Sequence, residues 1–507
     1  MTVRYITTPI YYLNGEPHLG HVYTTIAGDV LARYWRLAGA EVKFLTGTDE
    51  HGQKVAQAAE VAGESPKEYT DKLSKLFLEM TKKIKASQDV FMRTTETRHH
   101  EAAQALWKKL EDAGQIYKST YAGWYAVRDE AYYDEGEIVE GKAPTGAPVE
   151  WMEESSYFFR LSAWERPLLD YYEANPQAIA PVGRRNEVLS FIKGGLRDLS
   201  ISRTKFTWGV PILSDPEHVM YVWIDALTNY ITALGYSKVE GEAFQTFWPE
   251  VIHLMGKDIL RFHAVYWPAF LMAAGLRPPK RIFAHGWWTH DGEKMSKSLG
   301  NVVDPFKLID TFGLDSVRYF LMREIPFGQD GDYSDAAMIQ RINSDLANDL
   351  GNLVQRVLSF IYKNAEAQIP HPDQLLGEDR EMLAKAAHLH DILRDDMEAQ
   401  ALQVYCQHIW EVIGDANRYV DAQKPWSLKK SENPQDQIRM KTVLYVLTEV
   451  IRHVAIYIQP LMPDAASRIL DQLNQEDRSF EALKIPLKSG VSLMEPQPIF
   501  PRVESDK

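Results

Sequence analysis

The chain has 507 residues, 45% of them apolar, a formal net charge of −14 and one cysteine. Internal disulfides are excluded, bulk positive field is excluded as a way of holding nucleic acid, and the length allows three or four structural units with large cores. No uncharged apolar run reaches 18 residues, so no transmembrane span is expected; a strand begins almost at once, which leaves no space for a leader and implies a cytoplasmic setting.

Arg4-Tyr5-Ile6-Thr7-Thr8 reads as a short buried strand, and Pro9 to Pro17, with Asn14-Gly15, as a turn-rich connection. His18 opens an apolar-periodic segment through Val22, Ile26, Val30 and Leu31 to Gly39, which predicts a helix with a glycine stop. A strand, a loop and a helix N-terminus make a phosphate seat, because free N–H groups and the positive end of the dipole face it. His18 and His21 share a helical face, and Gly20 between them leaves room for a flat base. Taken alone, this pattern fits two surface histidines equally well.

Val42 to Leu45 is the second strand, and strand–helix alternation to about residue 115 predicts an α/β, doubly wound parallel sheet of Rossmann type. Residues 116–213 change character, with Tyr/Trp-rich short strands and turns at Gly123, Asp134-Glu135-Gly136 and Pro144-Thr145-Gly146; they read as an insertion splitting that sheet. The sheet resumes with a strand at Tyr221, then His253-Leu254-Met255 and Ile282 to Gly286. Lys294-Met295-Ser296-Lys297-Ser298 follows, too polar for a core element, with two lysines able to neutralise phosphate. Asp304 is a good N-cap with Pro305 at the first helical position. From about 335 the spacing of Leu346, Leu350, Leu353, Val357 and Ile361 predicts an all-α bundle, and Cys406 sits in an apolar run that predicts a buried thiol. The division expected is 1–115 with 214–292, the insertion 116–213, a lysine-loop region 293–334 and the helical region 335–507.

The histidine and lysine motifs together, in this order, imply a site that grips the triphosphate of ATP from two sides. They resemble the two signatures of class I aminoacyl-tRNA synthetases, HIGH and KMSKS. Thr46-Gly47-Thr48-Asp49-Glu50-His51-Gly52, Ile201-Ser202-Arg203, Trp208-Gly209-Val210-Pro211, Tyr221 to Ala226, Gly256-Lys257-Asp258-Ile259, Phe262-His263 and Trp267-Pro268 recur in the order found in methionyl-tRNA synthetases. The resemblance is dense over the first 330 residues and thinner beyond.

That resemblance implies methionine–tRNA ligase activity: methionine and ATP give methionyl adenylate and pyrophosphate, and methionyl passes to the terminal adenosine of tRNA(Met), the initiator included. It assigns His18, His21, Lys294 and Lys297 to catalysis, and Gly20, Gly256, Asp258, Met295, Ser296 and Ser298 to ATP, with Mg²⁺ accompanying the nucleotide. Ile10, Tyr12, Trp223, Ala226, Leu227, Tyr230 and His263 match the family's methionine pocket, Asp49 its ammonium-binding carboxylate, and Asn352, Arg356 and Trp426 its anticodon readers. An aromatic pocket suits a flexible, polarizable thioether. Family members also destroy misactivated homocysteine in the synthetic site.

The chain departs from relatives that carry Cys-x-x-Cys zinc knuckles in the insertion. Tyr125 to Arg128 and Thr145 to Pro148 stand near those places, and Asp129, Asp134 and Glu135 are poor substitutes for thiolates. No structural zinc is therefore expected, the insertion being held by apolar packing alone. With the chain ending soon after Pro501, no appended dimerisation domain and hence a monomer is expected. The acidic total requires tRNA contact through local basic patches, such as Arg418, Lys424, Lys429 and Lys430.

Other readings share parts of this pattern. Leucine, isoleucine and valine synthetases carry an editing insertion larger than the roughly 100 residues present here. The cysteine enzyme holds its substrate through zinc. A nucleotidylyltransferase explains the two motifs but not the helical region, and a tRNA-binding module the reverse.

Overall fold

The computed structural model describes residues 2–129, 131–133, 135–236, 241–295 and 301–504. The chain forms two compact units, one of residues 2–28 and 41–285, the other of residues 29–40 and 286–507.

The first unit is built on a six-stranded parallel sheet. From one edge its order is Val90–Arg93, Glu41–Asp49, Val3–Tyr12, Val251–Gly256, Arg281–His285 and Ile179–Ala180. The first strand of the chain is thus central, with later strands added on both sides, and the crevice at the carboxyl ends of the middle strands is where such sheets bind ligands. That first strand runs on to Tyr12 rather than stopping at Thr8. Pro9 cannot donate to the ladder, and the pairing with the second strand shifts register between Thr7 and Ile10 instead of ending there.

Tyr221 does not begin a strand. The strand is only Val219–Met220, and Tyr221 is the N-cap of a helix over Val222–Thr232. Every residue of that helix except Trp223 is buried, so no polar face marks its period, and an apolar aromatic run reads as a strand. Ile179–Ala180, inside the stretch read as insertion, adds an edge strand to the parallel sheet through Ile282 and Phe283. Two residues carry no periodicity to recognise.

The rest of that stretch centres on a four-stranded antiparallel sheet. Its long pair, Ile116–Ala126 with Glu150–Phe159, is in register from Ile116↔Phe159 to Tyr125↔Glu150. At the far end apolar packing is small (Ala126, Ala143 and Ala147), and it is not alone. Asp129 accepts hydrogen bonds from Tyr133 at 3.0 Å and from Thr145, while Arg128 donates to the Thr145 carbonyl at 2.5 Å. A polar clasp therefore works beside the apolar contacts. Glu135 is exposed on a short 3₁₀ turn, and Asp134 lies outside the described residues.

The second unit pairs a small sheet (Glu293–Lys294, Trp288–His290 and Gly331–Tyr333) with a helical array. Asp304 caps Pro305–Phe312 by accepting from Phe306 N at 2.9 Å, as its sequence predicts. The long helices Gly377–Glu398, Leu402–Gln423 and Pro434–Tyr457 pack on one another, and Cys406 is fully buried, its thiol pushed up to about 12 by burial. Residues Ile342–Gly351 form a π-helical stretch leading into Asn352–Asn364. Arg318, with no exposed surface, donates to buried Asp29 at 2.7 Å and to the carbonyls of Pro460 and Leu461 at 2.8 Å. Among the described residues no helix is long and apolar enough to cross a membrane.

Candidate active site

The helix Leu19–Leu37 starts directly after the first strand and its loop, and His18 and His21 stand at its opening turn. Their rings stack with centroids 3.6 Å apart. His18 Nδ1 accepts from Gly20 N at 3.1 Å, and His21 Nδ1 accepts from His18 N at 3.2 Å. With Nδ1 engaged as an acceptor on both rings, each neutral imidazole carries its proton on Nε2. Each ring thus has an Nε2–H donor, the kind of group that suits a phosphate. Burial, then the neighbouring His18, lowers the His21 pKa well below the ordinary value; Tyr11 at 4.6 Å and Phe77 at 5.0 Å wall its ring. A Cβ on Gly20 would sit 3.0 Å from His18 Cε1, so the glycine leaves His18 room.

At the end of the neighbouring central strand, Gly256 precedes the 3₁₀ turn Lys257–Ile259. A Cβ at Gly256 would stand 2.5 Å from Asp258 Oδ1. Its absence lets an exposed carboxylate fold back over the strand end, a geometry suited to a ribose diol. His285, ending the next strand, lies 2.7 Å from Thr24 Oγ1.

The residues expected to form the aromatic pocket come from three places. Ile10 and Tyr12 end the first strand, and Tyr12 pairs in register with Asp49. Trp223, Ala226, Leu227 and Tyr230 belong to the buried helix, and Trp223 stacks on Phe262 with centroids 3.8 Å apart and planes within 6°. Phe262 and His263 open a π-helical turn over Phe262–Tyr266, and such turns recur at functional sites. His263 Nδ1 lies 3.0 Å from the Ile259 carbonyl, which can only accept, so that nitrogen carries the proton. His263 Nε2 then accepts from Tyr230 Oη at 2.7 Å. Burial holds His263 down at about 4 despite the Ile259 carbonyl and the Asp258 charge, so it is neutral at pH 7. Burial raises the Tyr230 phenol well above its ordinary value. Trp223, Tyr230 and His263 are thus all uncharged at pH 7.

Asp49, at the end of the second strand, is 7% exposed. The segment carrying it is held by residues whose roles sequence reasoning missed. Glu50 accepts from Arg93 through both oxygens at 2.7 and 2.9 Å, and from Thr48 and Thr95 at 2.7 and 2.6 Å. Trp208 Nε1 donates to the Glu50 carbonyl at 2.6 Å, and Gly52 N donates to the Trp208 carbonyl at 3.2 Å. Glu50 and Trp208 stood inside quoted motifs; Arg93 carried no signal.

In the second unit, Lys294 closes the strand Glu293–Lys294 rather than lying in a loop, and Met295 follows it. Ser296, Lys297 and Ser298 lie outside the described residues. Asn352 and Arg356 occupy successive turns of the helix Asn352–Asn364. Arg356 donates to Asp421 at 2.7 Å and Asn417 at 3.2 Å, and its guanidinium carbon is 5.7 Å from the centre of the Trp426 ring. Trp426 is half-buried on the short helix Pro425–Lys430, beside exposed Lys424, Lys429 and Lys430; Arg418 is paired with Asp415.

A doubly wound parallel sheet with paired histidines at the opening of its first helix, and aromatic side chains clustered in the same unit, is the arrangement of a class I aminoacyl-tRNA synthetase catalytic unit. Comparison with known proteins agrees: residues 4–148 and 145–358 match the model for tRNA synthetases class I (M), and residues 369–507 that for the anticodon binding domain of methionyl tRNA ligase. Curated methionine–tRNA ligases from Mycobacterium bovis and Rhizobium meliloti are 52% and 54% identical, over 99% and 98% of this chain and 98% of each relative. The solved Mycobacterium tuberculosis methionyl-tRNA synthetase in complex with methionyl-adenylate superposes with a TM-score of 0.97 at 52% identity, covering 99% of this chain and 100% of that one. Its apo form gives 0.91 at 48% identity. The chain belongs to the methionine–tRNA ligases, of the class I synthetases.

Proposed function

We propose that the chain activates L-methionine with ATP, releasing pyrophosphate, and passes methionyl to the 3′ adenosine of tRNA(Met), the initiator included. The observation carrying this is the neutral pocket of Trp223, Tyr230 and His263, set in the same unit as buried Asp49. Such a pocket accepts a thioether and pairs an ammonium.

The carboxylate of methionine attacks the α-phosphorus in line, and pyrophosphate leaves. No bond to the protein forms, so positioning and charge supply the rate. Asp49 accepts from the substrate ammonium, while Ile10, Tyr12, Trp223, Ala226, Leu227, Tyr230 and His263 enclose the side chain. Nε2–H of His18 and His21 donates to phosphate oxygens as charge moves onto them. Gly20 and Gly256 admit the nucleotide, and Asp258 holds its ribose. Lys294 and Lys297 neutralise the departing pyrophosphate, with Met295, Ser296 and Ser298 completing the ATP contacts.

ATP enters as its magnesium complex, the metal being part of the substrate. Among the described residues no three His, Cys, Asp or Glu side chains are grouped to hold a metal ion. We take the insertion to need no zinc, on the support of the clasp around Asp129.

Asn352, Arg356 and Trp426 would read the anticodon, the ring by stacking and Arg356 by exchanging its partner Asp421 for a base. The division into 1–115 with 214–292, 116–213, 293–334 and 335–507 follows from these roles, and we take the enzyme to be a cytoplasmic monomer that also clears homocysteine. An amino-acid panel in ATP–pyrophosphate exchange tests the whole reading. Exchange with methionine alone is expected; silence across the panel overturns it.

A further inference from the structure

Asp225 makes two hydrogen bonds that neither step of the reaction uses. Its carboxylate has no exposed surface, with Oδ2 2.7 Å from His51 Nδ1 and Oδ1 2.7 Å from His99 Nε2. His51 lies two residues past Asp49. Asp225 sits between Trp223 and Ala226 on the pocket helix. His99 comes from a third element, the helix Thr97–Asp112, which packs along that pocket helix. The other nitrogen of His99 is 3.2 Å from Thr232 Oγ1, so one imidazole braces the pocket helix at both ends of its last two turns. The His51 ring is in turn walled by Trp208 at 5.4 Å and His100 at 5.3 Å.

We infer that the His51–Asp225–His99 chain is a positioning device for methionine, fixing the Asp49 segment against the helix that carries Trp223, Ala226 and Tyr230. It rests on the pocket assignment above. A substrate gripped at its ammonium by one element and at its side chain by another is sensitive to any slip between them. Apolar packing stabilises such a junction but lets it slide, whereas an anion with a fixed donor on each oxygen has one arrangement. Burial would raise the Asp225 carboxyl; the charges and hydrogen bonds of His51 and His99 outweigh it and hold the carboxyl well below the usual range. The acceptor therefore remains an anion at neutral pH.

The test uses the amide geometry of Asn and Gln. His51→Asn places an amide nitrogen where Nδ1 stood, and His99→Gln one where Nε2 stood, so each keeps a donor on Asp225; the alanine variants keep none. In ATP–pyrophosphate exchange by the full chain, each alanine variant is expected to raise the KM for methionine about tenfold. The KM for ATP should stay within about twofold, and each amide variant should recover most of the loss. Folded alanine variants with an unchanged methionine KM overturn the inference. So do amide variants that are as impaired as alanine toward both substrates, since that pattern marks mere structural damage. If His99→Ala fails to fold, the His51 pair carries the same comparison. Wild-type silence with methionine would defeat the pocket assignment itself; normal wild-type exchange with unmoved variants defeats only the positioning chain.

Discussion

The pocket around Tyr230 and the face around Trp426 use the same kinds of group, an aromatic ring, a nitrogen donor and a carboxylate, but commit them differently. In and behind the first cluster, Tyr230, His263, Asp225 and His99 are each at most 1% exposed and are joined to their partners by hydrogen bonds of 2.7–3.2 Å. On the helical face, Arg356 is paired with an Asp421 side chain that is 64% exposed, and its guanidinium stands over the half-buried ring of Trp426. Under the proposed assignment, the difference follows from what each would hold. A small substrate needs dipoles already oriented in a dry site, where reorganisation is costly. A nucleic-acid loop arrives with its own bases and phosphates, so its receptor gains by keeping exchangeable partners.

The largest test separates holding the amino acid from activating it. Lys297→Ala should slow pyrophosphate exchange about a thousandfold, roughly 4 kcal/mol, with the methionine KM barely changed. A wild-type rate would sink the assignment of the lysine motif.

Acid tests how far the pocket is committed. His263 has a pKa of about 4 in the folded chain, against roughly 6.5 unfolded. Between those values the unfolded chain binds the extra proton, so this group's contribution to stability is full above about pH 6.5 and is lost as pH drops toward 4, by about 3 kcal/mol. Melting temperatures across this range should show the decline, and His263→Gln should make it shallower, the remainder coming from buried His21 and His253. An equal decline in the variant would place the acid sensitivity elsewhere.

Trp426→Ala sharpens the contrast from the other side. Aminoacylation kcat/KM should fall about tenfold to a hundredfold through lost base stacking, while methionine-dependent exchange is unchanged. Loss of both activities would show that the helical face also supports the pocket. The smallest effect concerns the insertion: removing zinc with a chelator should move the melting temperature by less than about 1 °C. Stoichiometric zinc on the purified chain would show that the clasp around Asp129 has been misread.

The phosphate motifs, the parallel sheet and the helical region were legible because each rests on local order: His18 and His21 on one turn, β-branched strands, apolar residues at helical spacing. Pro9 and Tyr221 were misread for local reasons too. A proline at a register shift looks like a strand end, and a helix buried on all sides has no period to detect. The pairings around Asp49 were invisible for a different reason. Asp225 meets His51 and His99 across 174 and 126 positions, and Glu50 meets Arg93 across 43.

By itself, then, the sequence determined the family and the succession of a split parallel sheet and a helical region, since these depend on motif identity and short-range periodicity. Only the tertiary structure decided which nitrogen of His18, His21 and His263 carries a proton, and that Asp225 is tied to two histidines. A proton's place is set by whichever partner the fold brings within about 3 Å, and no local pattern encodes that meeting.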